Sequence, residues 1–196
     1  MTLKLLPVPY FCQNDNDLFD GVEGDVQCCP TSNAMLAAYL DKGMIARSKA
    51  NGFDEPESYY KSKFEECGFT ASDRGNHEAH TQVLKQHFGV NSQWRTDVSS
   101  KQIISQLDQG FPVVCGFQYK SSGHICCIVG YFDDEGGGLL VHDPYGIRDG
   151  ANDDYTYINP GWGDQSGRGD RYSWGVLNKI LFDAPNQDGW GRIVSK

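Results

Sequence analysis

The pattern of hydrophobic and polar positions divides the chain into a first part that predicts helices and a second part that predicts strands. Residues 30–40 (PTSNAMLAAYL) are rich in Ala, Met and Leu, which favour helices. They begin with a proline, which suits a first helical turn because its missing N–H has no partner there. Further helices are predicted at about 57–67, 76–87 and 99–108, and a glycine follows each of them within two residues.

Beyond residue 110 the apolar positions become β-branched and aromatic. Residues 112–119 (PVVCGFQY) and 124–132 (HICCIVGYF) carry little charge and predict buried strands, and residues 139–142 predict a third strand after a turn of Asp, Glu and Gly. Residues 172–182 predict a short helix or strand, and 189–194 a final strand. Because the helices come first and the strands later, the predicted fold class is α+β with a segregated antiparallel sheet.

The length of the chain favours a single domain. Domains usually contain about 50–250 residues, and this chain has 196. We therefore expect one domain over residues 1–196, with a helical part at about 28–110 and a sheet part at about 111–196. A chain of this size buries a core without needing a disulfide or a metal merely to fold.

Charge and the lengths of the apolar stretches exclude several kinds of partner. The chain has 17 basic and 26 acidic residues and a net charge of −9, so we expect no nucleic acid partner and no binding to an anionic membrane. The apolar stretches are far shorter than the roughly 20 residues that span a bilayer. The first residues (MTLKLLPVPYF) lack the pattern of a signal peptide. We therefore expect a protein that is cytoplasmic as synthesised, and a monomer.

The cysteines favour reduced thiols over structural cross-links. There are seven of them, an odd number, and two pairs are adjacent, Cys28-Cys29 and Cys126-Cys127. No spacing among them resembles a disulfide framework or a zinc site. The pattern is typical of a protein from a reducing compartment, in which one thiol can be reactive.

Cys28 has the sequence context of a nucleophile. It lies directly before the predicted helix at 30–40 and follows a polar loop. A thiol at the start of a helix meets the positive end of the helix dipole and unbonded N–H groups, and both stabilise the thiolate. A cysteine before a helix is more often inert, so a base must also be found.

His124 and Asp143 are the candidates for a base and its partner. His124 begins one predicted strand and Asp143 ends the next, so antiparallel pairing can place the two side chains together. The carboxylate would then hold one ring nitrogen while the other faces the sulfur. The sequence leaves Asp149 and Asn152 open as alternatives to Asp143.

Several segments of the chain resemble those of papain-like peptidases related to the bacteriocin-processing, double-glycine peptidases. Residues 28–35 (CCPTSNAM) are similar to the nucleophile motif Cys-Gly-Pro-Thr-Ser-x-Ala-Met. Residues 123–131 resemble the Gly-His segment with its apolar strand, and 141–146 resemble the Asp-Pro segment. Residues 6–13 resemble the Val-Pro-Tyr-x-x-Gln entry, and 103–114 contain a similar Leu-x-x-Gly-x-Pro-Val core.

The resemblance implies a papain-like fold and a set of site residues. It implies Cys28 as the nucleophile, His124 as base and acid, Asp143 as the orienting residue and Gln13 as a donor in the oxyanion hole. One departure is that Cys29 stands where the family has a glycine. A rival alignment would make Cys29 the nucleophile, but Cys28 keeps the family's spacing to Pro-Thr-Ser.

The implied activity is cysteine-dependent amide hydrolysis through an acyl-thioester on Cys28. Free-standing members of the family resemble peptidoglycan or protein hydrolases, including phage-encoded lysins. We therefore expect a peptide or peptidoglycan-stem substrate and no cofactor for the chemistry itself. One alternative is a catalytically silent binding or virion-structural domain that keeps the fold. Another is transfer of the acyl group to an amine, as in a transpeptidase or transglutaminase.

The loop at 14–27 suggests a calcium site. Asp15, Asp17, Asp20 and Asp25 place carboxylates close together in a glycine-containing segment, and calcium takes six to eight oxygen ligands. The spacing is not that of an EF-hand. The alternative is a solvated acidic loop.

The last third of the chain is enriched in aromatic residues. They could line a substrate groove or pack beneath a glycine-rich region, and the sequence does not separate the two. The residues concerned are Tyr155, Tyr157, Trp162, Tyr172, Trp174 and Trp190.

Overall fold

The computed structural model describes residues 2–119, 122–148, 157–160, 167–183, 186 and 188–195. Five helices precede the main run of strands. They are α1 (Cys28–Leu40), α2 (Met44–Ala50), α3 (Pro56–Glu66), α4 (His77–Phe88) and α5 (Ser100–Asp108). Helix α4 is capped before its first residue by Asn76, whose side chain accepts from the N–H groups of Glu78 and Ala79, and after its last by Gly89, which has a φ of 66°. Both ends follow the usual rules for caps.

Helix α1 is the central helix of the core. Every residue from Cys29 to Ala38 is buried, so the helix has no solvent face along most of its length. It packs against α3 and α4 on the helical side and against the sheet on the other. Cys28, at its first position, is partly exposed, as are Tyr39 and Leu40 at the other end of the helix.

Antiparallel pairing joins seven strands of the described chain into one sheet. The sheet strands are β1 (Leu3–Leu5), β2 (Ser92–Ser99), β3 (Val113–Gln118), β4 (Gly123–Phe132), β5 (Gly138–His142), β8 (Asp170–Ser173) and β9 (Asp188–Val194). Their order is β2-β9-β3-β4-β5-β8, and β1 pairs with the second half of β4. Strands β6 (Gly146–Arg148) and β7 (Tyr157–Pro160) form a separate pair, and α6 (Trp174–Ile180) follows β8.

The pairing of β1 with β4 depends on a glycine. A Cβ atom at Gly130 would lie 2.0 Å from the carbonyl oxygen of Lys4. This distance is far shorter than van der Waals contact, so any side chain at this position would clash with the backbone of Lys4. The absence of a side chain lets the N-terminal strand approach and pair Leu5 with Gly130 and Leu3 with Phe132.

The predicted α+β arrangement of helices packed on an antiparallel sheet is confirmed. The four predicted helices and the three predicted central strands lie within about two residues of their expected positions. The segment at 172–182, expected to be a short helix or strand, contains the last two residues of a strand and then a helix. Strand β8 ends at Ser173, and α6 begins at Trp174. None of the helices in the described ranges is both long and apolar enough to cross a membrane.

The sequence missed helix α2 and strand β2. Strand β2 has only one buried residue, Val98, and so lacks the alternation of apolar and polar positions that predicts a strand. It joins the sheet through β9, near the other end of the chain. The region expected to be helical, at about 28–110, therefore contributes an edge strand to the sheet.

Candidate active site

The entry to helix α1 places Cys28 at a half-buried position at the start of the helix. A short 3₁₀ turn, Gly24–Val26, leads into Gln27, and the helix begins at the next residue. The N–H of Thr31 bonds back to the carbonyl of Gln27 at 3.1 Å. The first N–H groups of a helix have no partner within it, so they remain available near the half-buried sulfur of Cys28.

Antiparallel pairing of β4 and β5 brings His124 and Asp143 together. Cys127 pairs with His142, so the start of β4 lies beside the end of β5. Nε2 of His124 lies 2.8 Å from Oδ1 of Asp143, and both side chains are buried. This is the juxtaposition that the order of the strands predicted. The alternatives Asp149 and Asn152 lie outside the described residues.

Four hydrogen bonds hold the carboxylate of Asp143. Oδ1 accepts from the His124 ring at 2.8 Å and from the N–H of Tyr145 at 2.9 Å, while Oδ2 accepts from the hydroxyls of Tyr157 at 2.7 Å and Tyr172 at 2.6 Å. Burial acts to raise the pKa of Asp143, but the charge of His124 and these hydrogen bonds outweigh it and lower the pKa below its usual value. The carboxylate is therefore fixed in place and ionised.

The Cys28 thiol lies near enough to the ring of His124 for the ring to lower its pKa. Because Nε2 is engaged by Asp143, Nδ1 is the nitrogen available to the sulfur. Burial acts to raise the pKa of Cys28, but the hydrogen bond and charge of His124, with a further hydrogen bond from the backbone of Ile125, lower it below its usual value. Burial acts to lower the pKa of His124, yet the neighbouring Cys126 and Asp143 raise it well above the usual value. These directions favour a thiolate–imidazolium pair.

The other cysteines near the site have the opposite character. Cys29 points into the core, where Nδ2 of Asn33 lies 3.6 Å from its sulfur, and burial raises the pKa of its thiol. Cys126 also touches the His124 ring, but it is fully buried in β4 and its pKa is raised, again mainly by burial. Of the two adjacent thiols 28 and 29, Cys28 is the one that faces the histidine.

Gln13 lies beside the site, but its side-chain amide donates hydrogen bonds to main-chain carbonyls of the loop before Cys28. The side chain is buried, and Nε2 donates to the carbonyls of Gly24 at 3.1 Å and Asp25 at 2.7 Å. Its main-chain N–H donates to the carbonyl of Pro144 at 2.8 Å. Gln13 therefore links the entry of α1 to the segment after Asp143. In this arrangement both amide hydrogens are committed, and the expected oxyanion-hole role of Gln13 stays a prediction.

The acidic loop at 14–27 folds around a lysine from α3. Nζ of Lys61 donates to the carbonyl of Asp17 at 2.7 Å and to Oε1 of Gln27 at 3.1 Å. Nε2 of Gln27 in turn donates to the carbonyls of Asp17 and Val22. A buried ammonium thus supplies positive charge within the loop that immediately precedes Cys28. Neither Lys61 nor Gln27 carries a sequence signal for this role, because their contacts join separate elements.

The four carboxylates expected to bind calcium are not gathered into one cluster. Among the described residues, the one group of three or more potential metal-ligating side chains within 4.8 Å of one another is His124, Cys126 and Asp143. That group belongs to the site just described. Calcium binding by Asp15, Asp17, Asp20 and Asp25 stays a prediction.

The aromatic residues of the last third of the chain have separate roles. Tyr157 and Tyr172 bind Asp143, Trp174 packs partly buried against the core, and Trp190 is 53% exposed. Tyr155 and Trp162 lie outside the described residues. The sequence missed the hydrogen bonds of the two tyrosines, since aromatic enrichment does not show which hydroxyl reaches a carboxylate.

The fold and the position of the site define the class of the protein. Helices packed on an antiparallel sheet, with a thiol at the start of the central helix and a His–Asp pair on adjacent strands, form a papain-like cysteine peptidase fold. A model of the Peptidase_C39 like family matches residues 5–167. The chain belongs to this family.

One solved structure agrees with the fold. A protein from Bacillus anthracis described as a C39-like peptidase has a TM-score of 0.50 and 14% sequence identity, with 100% of this chain and 98% of that chain covered. UfSP from C. elegans is also similar, with a TM-score of 0.41, 13% identity and coverage of 98% of this chain. This chain spans about a third (33%) of that UfSP chain. No curated protein matches the sequence.

Proposed function

We propose that the chain is a cysteine peptidase that cleaves an amide bond through an acyl-thioester on Cys28. The observation that carries the proposal is the connected set Cys28, His124 and Asp143, in which the pKa of the thiol is lowered and that of the imidazole raised. A pair held in this state at neutral pH provides a nucleophile and an acid without a further activation step.

The chemistry follows from the positions of the groups. The Cys28 thiolate attacks the substrate carbonyl carbon, and negative charge develops on the carbonyl oxygen. The unbonded N–H groups at the start of α1 are donors for that charge. The His124 imidazolium gives its proton to the departing amine, which leaves a thioester on Cys28. Neutral His124 then takes a proton from water, and the hydroxide attacks the thioester to release the acid and restore the pair.

The identity of the substrate is a separate part of the proposal. It is supported by the resemblance to free-standing family members that act on peptidoglycan or proteins. The first substrate to test is therefore a peptidoglycan stem peptide, which a phage lysin would cleave. Soluble muropeptides and an unfolded polypeptide should therefore be assayed side by side. An added primary amine would appear in the products if the thioester is resolved by acyl transfer.

Alkylation of each cysteine by iodoacetamide, followed by mass spectrometry across pH, tests the chemistry without a known substrate. An ordinary thiol titrates near pH ~8.5, whereas a thiol paired with histidine at a helix start reacts well below neutrality. We expect rapid labelling of Cys28 at about pH 5, and loss of that labelling in a His124→Ala variant that circular dichroism shows to be folded. Labelling of an accessible Cys28 only at alkaline pH would instead favour a silent binding domain.

A further inference from the structure

A cleft lies beside His124 at one end of the sheet. It has a volume of about 330 Å³ and forms where β3 ends and where β4 and β9 begin. Gly116 pairs with Ile125 on one side and with Trp190 on the other. Because Gly116 has no side chain, a groove remains between these two residues. A Cβ at Gly116 would come within 3.5 Å of Ile125 and 3.6 Å of Trp190, so a larger side chain there would fill the groove.

The walls of the cleft are largely apolar. Besides Ile125, they include Phe117, Ile180 and Leu181. Trp190 also lines the cleft and leaves 53% of its surface exposed. An exposed indole next to a groove favours an apolar group that covers it on binding.

The rim of the same cleft is acidic. Asp183 and Asp188 line it, and Asp183 is exposed. His77 also lines it, but burial, with a smaller effect from Arg192, lowers the pKa of this imidazole to about 4, so it is neutral at pH 7. Among the described lining residues, His124 is then the one that can carry positive charge at that pH. Two carboxylates on an apolar groove favour a ligand that carries a cation next to an apolar group.

The proton transfer to the departing amine indicates which half of a substrate, the acyl half or the leaving-group half, would occupy the cleft. His124 gives its proton to the departing amine, so the leaving group must pass over the imidazole. His124 lines the cleft, so the cleft lies beside the group that protonates the leaving amine.

We propose that this cleft binds the leaving-group half of a peptide substrate, and that it selects an apolar residue directly after the scissile bond followed by lysine or arginine. The inference rests on the proposed peptidase function and adds its substrate preference. It places Trp190 as the contact for the apolar side chain and Asp183 with Asp188 as the contacts for the cation.

A peptide library tests the preference directly. After digestion by the full chain, the new N-termini found by mass spectrometry should be enriched in apolar residues followed by Lys or Arg. Trp190→Ala should lower cleavage at apolar residues about tenfold, the usual scale for a buried aromatic contact. Asp183→Asn with Asp188→Asn should reduce the preference for Lys over Glu by about two- to fivefold per carboxylate. The matched control, Asp54→Asn with Glu65→Gln, removes two exposed carboxylates elsewhere and should leave the preference unchanged.

A second measurement needs no turnover. A dipeptide amide Phe-Lys should occupy the cleft and slow alkylation of Cys28 by iodoacetamide, whereas Phe-Glu should not, and the Asp183/Asp188 variant should lose the difference. Rapid acidic labelling of Cys28 without this selective protection, or cleavage without the expected N-termini, would overturn the inference and leave the peptidase proposal standing. Absence of acidic labelling at Cys28 would instead overturn the proposed function.

Discussion

The hydroxyl of Tyr172 lies 2.6 Å from Oδ2 of Asp143, while His124 is bonded to Oδ1 of the same carboxylate. Tyr172 is itself buried and fixed, with its ring edge-on to Phe117 at 5.6 Å and the guanidinium of Arg148 over its face at 4.7 Å. The carboxylate is thus held from two sides, and it cannot turn away from the imidazole without breaking a buried hydrogen bond.

Tyr172→Phe should weaken the site without unfolding the protein. The variant loses one hydrogen bond to a charged group, worth about 1.5–3 kcal/mol, and keeps the ring. Because that bond stabilises ionised Asp143, its loss should raise the pKa of Asp143. The acidic limb of the rate profile, or of Cys28 alkylation, should therefore move to higher pH, with kcat reduced about tenfold and KM little changed.

Tyr131→Phe is the matched control for this variant. The hydroxyl of Tyr131 donates to Asp108 on an exposed part of the fold, so the same chemical change occurs away from the site. An equal shift of the acidic limb in both variants, or in neither, would contradict the positioning role of Tyr172.

Cys29→Ala should leave the reactive thiol intact. Cys29 is buried and contacts Asn33, whereas Cys28 faces His124. We expect rapid acidic alkylation to persist in Cys29→Ala and to disappear in Cys28→Ala. Peptide mapping by mass spectrometry separates the two neighbouring positions. Loss of acidic alkylation in Cys29→Ala would show that the roles belong one residue further along the chain.

Lys61→Met should destabilise the loop before Cys28. The change removes the buried ammonium and leaves the carbonyl of Asp17 and Oε1 of Gln27 without that donor. A cost of about 1.5–3 kcal/mol in the free energy of unfolding follows from the loss of hydrogen bonds from a charged donor. Urea unfolding gives the cost, and hydrogen exchange over residues 14–27 should be faster.

Lys49→Met removes an exposed lysine from α2 and serves as the control, with an expected change of less than about 0.5 kcal/mol. Calcium can be added to both variants and to the unchanged protein. A rise in melting temperature with calcium in the unchanged protein would support the metal hypothesis for the loop. Equal destabilisation of the two variants would contradict the role of Lys61.

The parts of the site that sequence could predict are those that depend on local order. Cys28 precedes a strongly helical segment, and His124 and Asp143 occupy the ends of consecutive strands, so antiparallel pairing alone brings the last two together. The parts that it could not predict depend on contacts between distant elements. Lys61 is an ordinary polar position of a helix until the loop at 14–27 folds over it. Strand β2 has a polar surface and pairs with a strand about a hundred residues away.

Glu57 should make the stability of the protein depend on pH above neutrality. This residue of α3 is buried, and burial raises the pKa of its carboxyl from 4.5 to about 8. Between those values the folded state keeps the proton while the unfolded state has lost it. Stability contributed by Glu57 is therefore present below pH 4.5 and is lost as pH rises toward 8, by about 5 kcal/mol in total.

Glu57→Gln should remove this loss, so the variant should gain stability relative to the unchanged protein as pH increases. The comparison isolates Glu57 because the other titrating groups contribute equally to both proteins. Urea unfolding at several pH values between about 5 and 9 measures the difference. Glu65→Gln, an exposed position on the same helix, should show none of it. A constant difference between Glu57→Gln and the unchanged protein across this range would mean that Glu57 is ionised in the folded state.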